Sequence, residues 1–241
     1  MPPQAATPGP RARYREQTRA EIKAAALAQL AEGGTGALAL VKIAKELGLS
    51  GPALYRYFAG RDDLLDALIC DAYADLAAAV ADAAATSAGA GSTPRSRLRD
   101  LVRTFRGWAV AQPHRYLLIG GTPVPGYEAP PQTREHARAV LGPFVALLAG
   151  CTPHPALGPV VADLRAWVTR EPGVERWLET YLPEASAEAA AAGLTGAVQV
   201  WTQVHGTVSL EVSGLYNGMG HDPAALLDAQ VELLADALSL A

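Results

Sequence analysis

The sequence predicts an all-α fold: a short three-helix unit containing a helix-turn-helix, followed by a helical bundle. Three observations predict it. Apolar residues recur at spacings of three and four along most of the 241 residues, no stretch alternates apolar and polar residues as a strand does, and glycine and proline punctuate the apolar runs. The expected organisation is a leader over residues 1–13, a helix-turn-helix domain over 14–61, and a helical domain over 62–241.

Residues 1–10 hold four prolines and no charge, so a disordered leader is expected there. Arg11, Arg13 and Arg15 follow. The first helix is expected from Tyr14 to Glu32, burying Ile22, Ala26 and Leu30, and the glycines of Gly33–Gly36 stop it. That run follows a helix and lacks a Gly-Lys-Ser/Thr ending, so it is no phosphate loop.

A second helix over Val41–Leu47 places Leu40, Ile43, Ala44 and Leu47 on one face. Gly48 ends it, because glycine enters the left-handed conformation without a steric penalty. Ser50 can cap the next helix and Pro52 fits its first turn. Leu54 and Phe58, four apart, face inward, which pushes Tyr55, Arg56 and Tyr57 to the sides and outward. By itself this pattern equally suits a helical hairpin within a larger bundle.

Asp62 or Asp63 then caps a long helix to about Ala85. Pro94 opens another, with Leu98, Leu101, Val102, Phe105 and Trp108 inward, and Pro113 ends it. The apolar, Gly/Pro-rich stretch from Tyr116 to Tyr127 is expected to be irregular, as a cavity wall or a plain lid. Helices follow at Gln132–Ala149, kinked at Pro143, then Leu157–Arg170 and Gly173–Tyr181. Last comes a stripe of Leu194, Val198, Trp201, His205, Val208, Val212 and Leu215, continued after Asp222-Pro223 by Leu227, Val231, Leu234 and Leu238. Such helices close a core or pair with their twins in a dimer, where Gly206 and Gly214 would permit close approach.

Net charge is −4 but unevenly spread. Residues 1–61 hold nine Lys/Arg against four acids, a net +5, and the remaining 180 residues carry −9. A basic end on an acidic body suits a chain that presents one end to phosphate. Cys70 and Cys151 cannot build a disulfide framework, and no stretch reaches the roughly 20 apolar residues of a membrane span. The start shows no signal-peptide pattern, so the cytoplasm is the expected compartment. No Gly-x-Ser-x-Gly, His-Glu-x-x-His or metal-spaced cluster appears, so neither enzyme, metal nor cofactor is expected.

Residues 14–69 resemble the N-terminal domain of TetR-family transcriptional regulators. The match rests on Ile22 to Leu30, Leu38, Ile43-Ala44, Leu47-Gly48-Leu49-Ser50, Leu54-Tyr55-Arg56-Tyr57-Phe58, Arg61 and Leu64-Leu65. Trp201-Thr-Gln-Val-His205-Gly206 is similar to the Trp-His-Gly signature of one C-terminal domain type of that family, and Gly121–Tyr127 resembles a loop found with it. Two features depart from the pattern. Ala39 stands where the family usually has a capping Ser or Thr, and Gly51 and Ala53 carry little that could touch a base edge.

The resemblance implies a homodimeric, ligand-responsive regulator, expected to be a repressor released from a palindromic DNA operator by a small hydrophobic effector. The expected DNA face is Lys42, Ser50, Gly51, Ala53, Tyr55, Arg56, Tyr57 and Arg61, with Tyr55, Tyr57 and Arg61 on phosphates and Arg56 on a guanine. The expected effector pocket is Trp108, Tyr116, Tyr127, Phe144, Trp167, Trp177 and His205. The expected dimer face is Val198, Trp201, Val208, Val212, Leu227, Val231 and Leu234. The rivals are a helical ligand-binding or interaction protein that has lost sequence-specific DNA reading and, further off, an enzyme.

Overall fold

The computed structural model describes residues 9–89, 91–121 and 130–241, and all regular structure among them is helical. Of these, the residues up to Ile69 form one compact unit, and Cys70–Gly121 with Pro130–Ala241 form a second.

In the first unit, α1 spans Pro10–Gly33, α2 Leu40–Glu46 and α3 Gly51–Tyr55, and α4, Arg61–Thr86, begins there. Helix α1 starts four residues earlier than expected, which shortens the leader. Pro10 sits in its first turn, where a missing N–H costs nothing, and the Ala12 and Arg13 amides donate to the Gly9 carbonyl. Residues 1–8 of the expected leader lie outside the described residues. Gly48 has φ +65° and closes α2 as expected, while the Leu49 amide donates back to the Ala44 carbonyl at 2.8 Å. The core of this unit is Ile22, Ala26, Leu30, Leu38, Ile43, Leu54, Phe58, Leu64, Leu65 and Leu68. Leu40 and Leu47, assigned to the same face by spacing, are only half-buried.

In the second unit, α5 spans Pro94–Ala111, α6 Pro113–Gly120, α7 Pro131–Leu148, α8 Gly158–Arg170, α9 Pro172–Tyr181, α10 Ala187–Val212 and α11 Pro223–Ala237. Helix α6 corrects one expectation. Pro113 does not merely end α5; it occupies the first turn of a new helix that carries the apolar run Tyr116–Ile119. The rest of the expected irregular stretch, residues 122–129, lies outside the described residues.

The core here joins Leu98, Leu101, Val102 and Phe105 of α5 to Val140, Phe144 and Leu148 of α7, Leu194, Val200, Val204 and Val208 of α10, and Leu227 and Val231 of α11. Small residues let α7 and α10 approach closely: a Cβ on Gly193 would lie 2.8 Å from the Val145 carbonyl oxygen. Outside this core, α5 is tied to its neighbours by arginines. Arg95 and Arg99 pair with Glu232, Arg103 with Asp228 and Arg106 with Glu211. Those bonds from Arg103 and Arg99 hold the Asp228 and Glu232 carboxyls below their ordinary range.

Three residues of the expected dimer face lie inside the chain's own core. Val208, Leu227 and Val231 are at most 1 % exposed within a single chain. A helix packed on several sides buries more than one stripe, so apolar spacing alone does not separate the core face from a partner face. The exposed apolar residues on and just past these helices are instead Leu210, Leu215, Met219 and Leu233. Gly214 has φ +73° and follows the end of α10, so it terminates the helix rather than admitting a partner. Leu215 thus lies beyond the helix.

Candidate nucleic-acid interface and apolar cavity

Helix α3 is only five residues long, so its own ladder cannot hold it and its surroundings must. The Ser50 hydroxyl accepts from the Ala53 amide at 3.3 Å, and Pro52 occupies the first turn. Leu54 and Phe58 are buried, which leaves Tyr55 and Arg56 outward; Ser50, Gly51 and Lys42 are exposed beside them. Ala53 is half-buried. An apolar hollow of about 300 Å³ opens between α2 and α3, lined in part by Val41, Leu49, Gly51 and Tyr55. Val41 is 79 % exposed and escaped sequence reasoning, because an isolated surface valine carries no periodic signal.

Two expected phosphate contacts are engaged within the unit. Arg61 donates from Nη2 to the Thr35 carbonyl at 2.6 Å, and its Nη1 lies 3.8 Å from Asp62. Tyr57 is half-buried, and its carbonyl accepts from Arg19 Nη1 at 2.6 Å. The Arg19 guanidinium also lies 4.2 Å from the centre of the Phe58 ring. The uncapped start of α2 is held from α1: the Ala39 amide donates to Gln29 Oε1 at 2.9 Å. Neither Arg19 nor Gln29 was legible as a functional residue, since each acts on main chain distant in sequence.

In the second unit the expected pocket residues converge only in part. Trp108 is half-buried against the core and donates to Asp75 at 2.9 Å; Trp177 donates to the Arg138 carbonyl at 3.0 Å; Trp167 is half-buried on α8. Tyr127 lies outside the described residues. Tyr116, Phe144 and His205 do share one neighbourhood, with Phe105 and Trp201 between them. The His205 ring lies 4.1 Å from Trp201 and 5.2 Å from Phe105, so Trp201, expected at a dimer face, packs into its own chain. The Tyr116 hydroxyl bonds His205 Nδ1 at 3.0 Å and Ser209 at 2.8 Å. Burial lowers the His205 pKa to about 4, which keeps the imidazole neutral, and its buried Nε2 has no partner among the described residues. Phe105, Leu141, Phe144, Val200, Trp201 and Val204 line a narrow apolar seam with no room for a water molecule. Its lining is wholly apolar, so the seam stays dry.

The described residues hold no cluster of three or more His, Cys, Asp or Glu side chains able to bind a metal, and no described helix is long and apolar enough to cross a membrane. Residues 22–68 match the model for bacterial regulatory proteins of the tetR family, and residues 98–234 match that for the tetracyclin repressor-like C-terminal domain. The HTH-type transcriptional regulators Rv1816 of Mycobacterium tuberculosis and Mb1846 of Mycobacterium bovis are each 37 % identical over 235 residues, covering 96 % of this chain and 96 % of theirs.

This chain belongs to the TetR family. It is a DNA-binding transcriptional regulator. The solved structure of regulatory protein SCO4313 matches with TM-score 0.76 and 39 % identity, over 95 % of this chain and 100 % of that one. FadR of Bacillus subtilis, solved with stearoyl-CoA, shares the TetR fold at TM-score 0.53 and 16 % identity, over 90 % and 98 % of the two chains. Across this TetR-family chain, the first match spans the second half of α1, α2, α3 and the start of α4, and the second runs from α5 into α11.

Proposed function

We propose that the chain is a cytoplasmic, homodimeric repressor that reads a palindromic operator with α3 and releases it when a small apolar effector enters the second unit. The observation that carries this reading is the partition of α3: Leu54 and Phe58 are buried, while Tyr55 and Arg56 stand outward beside exposed Lys42. Arg56 offers a planar fork suited to guanine, and Tyr55, Lys42 and the free edge of Arg61 serve phosphates. Twofold symmetry of the protein then requires a twofold-symmetric site. The dimer face that suits the burial pattern is the outward one bearing Leu210 and Leu233.

The effector site is the apolar seam beside Phe105, Phe144 and Trp201, which is closed here and has to open for a ligand to enter. A FadR of the same fold was solved with stearoyl-CoA, which supports an apolar ligand. An effector acts here only if it binds the DNA-incompetent state more tightly.

Binding of the purified chain to DNA upstream of its own gene, titrated with salt and repeated with Arg56→Ala, tests the proposal. A palindromic site, a steep loss with salt and about 1–3 kcal/mol of lost base discrimination in the variant are expected. Weak binding that ignores sequence in both proteins would favour the rival reading, in which the bare side chains of Gly51 and Ala53 mark a lost DNA function.

A further inference from the structure

The geometry points to α1 as the positioning helix for DNA reading: Arg19 fixes the end of the recognition helix by holding the Tyr57 carbonyl, and Gln29 fixes the start of α2. This rests on the DNA-reading function proposed above.

Helix α3 ends at Tyr55, with Arg56 as its C-terminal cap, so the residue assigned to guanine sits where the helix is most prone to fray. The next carbonyl, that of Tyr57, accepts from Arg19 at 2.6 Å across 38 residues of sequence, and the same guanidinium covers the buried Phe58 ring at 4.2 Å. A cation at a helix C-terminus is favoured by the exposed carbonyls there. Helix α2 lacks a side-chain cap at Ala39, and the residue at the third helical position, Lys42, has no acceptor with which to complete a capping box. Gln29, 9 % exposed and reaching over from α1, supplies that acceptor at 2.9 Å. Both ends of the helix pair are therefore tied to one rigid helix. Arg19 counts toward the basic charge of this end, yet its bonds run to main chain and ring; it orients Arg56 rather than touching phosphate.

The test compares wild type with Arg19→Met, Arg19→Lys and Gln29→Leu in the full chain. Amide hydrogen exchange in the free protein should quicken about tenfold at residues 55–58 in Arg19→Met and in the first turn of α2 in Gln29→Leu, with α7 and α10 unchanged. Lysine keeps the charge and a donor, so Arg19→Lys should restore most of the protection. On the chain's own upstream DNA, Arg19→Met should bind about tenfold more weakly with the slope of log affinity against log salt unchanged, because no phosphate contact is lost. A slope smaller by about 0.9 would mark Arg19 as a phosphate ligand and overturn the assignment. Unchanged exchange in Arg19→Met would overturn it too. If wild type ignores DNA sequence, the DNA-reading function fails, and the exchange comparison still decides the clamp.

Discussion

Arginines in the two units do different work. Up to Ile69, Arg19 and Arg61 each donate to a backbone carbonyl, Tyr57 and Thr35, and so hold the segments that flank a very short helical pair. From Cys70 onward, Arg95, Arg99, Arg103 and Arg106 lie along α5 and meet carboxylates of α10 and α11, binding helices already packed by an apolar core. Where burial is scarce, single directed hydrogen bonds set geometry; where burial is plentiful, charge pairs decorate it. The comparison also reinterprets the charge asymmetry. Part of the +5 carried by residues 1–61 is turned inward, so fewer cations face outward than the count implies.

The largest effect expected from this contrast is acid sensitivity confined to the second unit. His205 has a folded pKa of about 4 against 6.5 for an ordinary histidine. The unfolded chain therefore takes up a proton that the folded chain refuses. Stability is full above about pH 6.5 and falls as pH drops toward about 4, by on the order of 3 kcal/mol. Urea melts at about pH 7.5 and about pH 4.5, read as wild type minus His205→Gln, isolate this effect from the carboxylates common to both chains. An equal acid loss in the two proteins would show that the aromatic enclosure of His205 is not what keeps it neutral.

A smaller effect is expected at Arg106→Ala. Its side chain and that of Glu211 are 24 % and 14 % exposed, so removing the arginine strands a largely buried carboxylate. A loss of about 2 kcal/mol is expected, nearly independent of salt, whereas the more exposed Arg103–Asp228 pair should weaken with salt. If Arg106→Ala costs nothing, the α5 pairs are ornament and the core alone holds this unit.

The smallest is a gain. Ala39→Ser adds the missing side-chain acceptor at the start of α2 without displacing Gln29, and should stabilise the first unit by up to about 1 kcal/mol in thermal melts. No gain would mean that the tie to α1 already secures this end.

Much of this was legible in the chain itself. Ile22, Ala26 and Leu30, and then Leu54 and Phe58, repeat at helical spacing and are buried; Gly48 carries the positive φ its place required; Ser50 accepts the expected amide. These features obey rules that reach only a few residues along the chain, so sequence alone determined them, along with the all-helical class and the outward Tyr55-Arg56 edge. Helix α6 was within reach of the same rules, since proline opens helices as readily as it ends them.

What sequence could not determine were contacts that join distant segments. The 26-residue α10 has apolar residues on several faces, and only its packing against α5, α7 and α11 chose which went inward, burying Val208 and leaving Leu210 out. The five expected pocket aromatics that lie among the described residues, His205 apart, were scattered by the same packing, which left Phe144 with Tyr116 near His205 and sent Trp108 and Trp177 to other partners. Arg19 reaches Tyr57 across 38 residues and Gln29 reaches Ala39 across 10, and no spacing rule spans such a gap. Local periodicity determines which residues form helices, but a hydrogen bond between helices depends on where folding brings their surfaces, and the tertiary structure alone decides that.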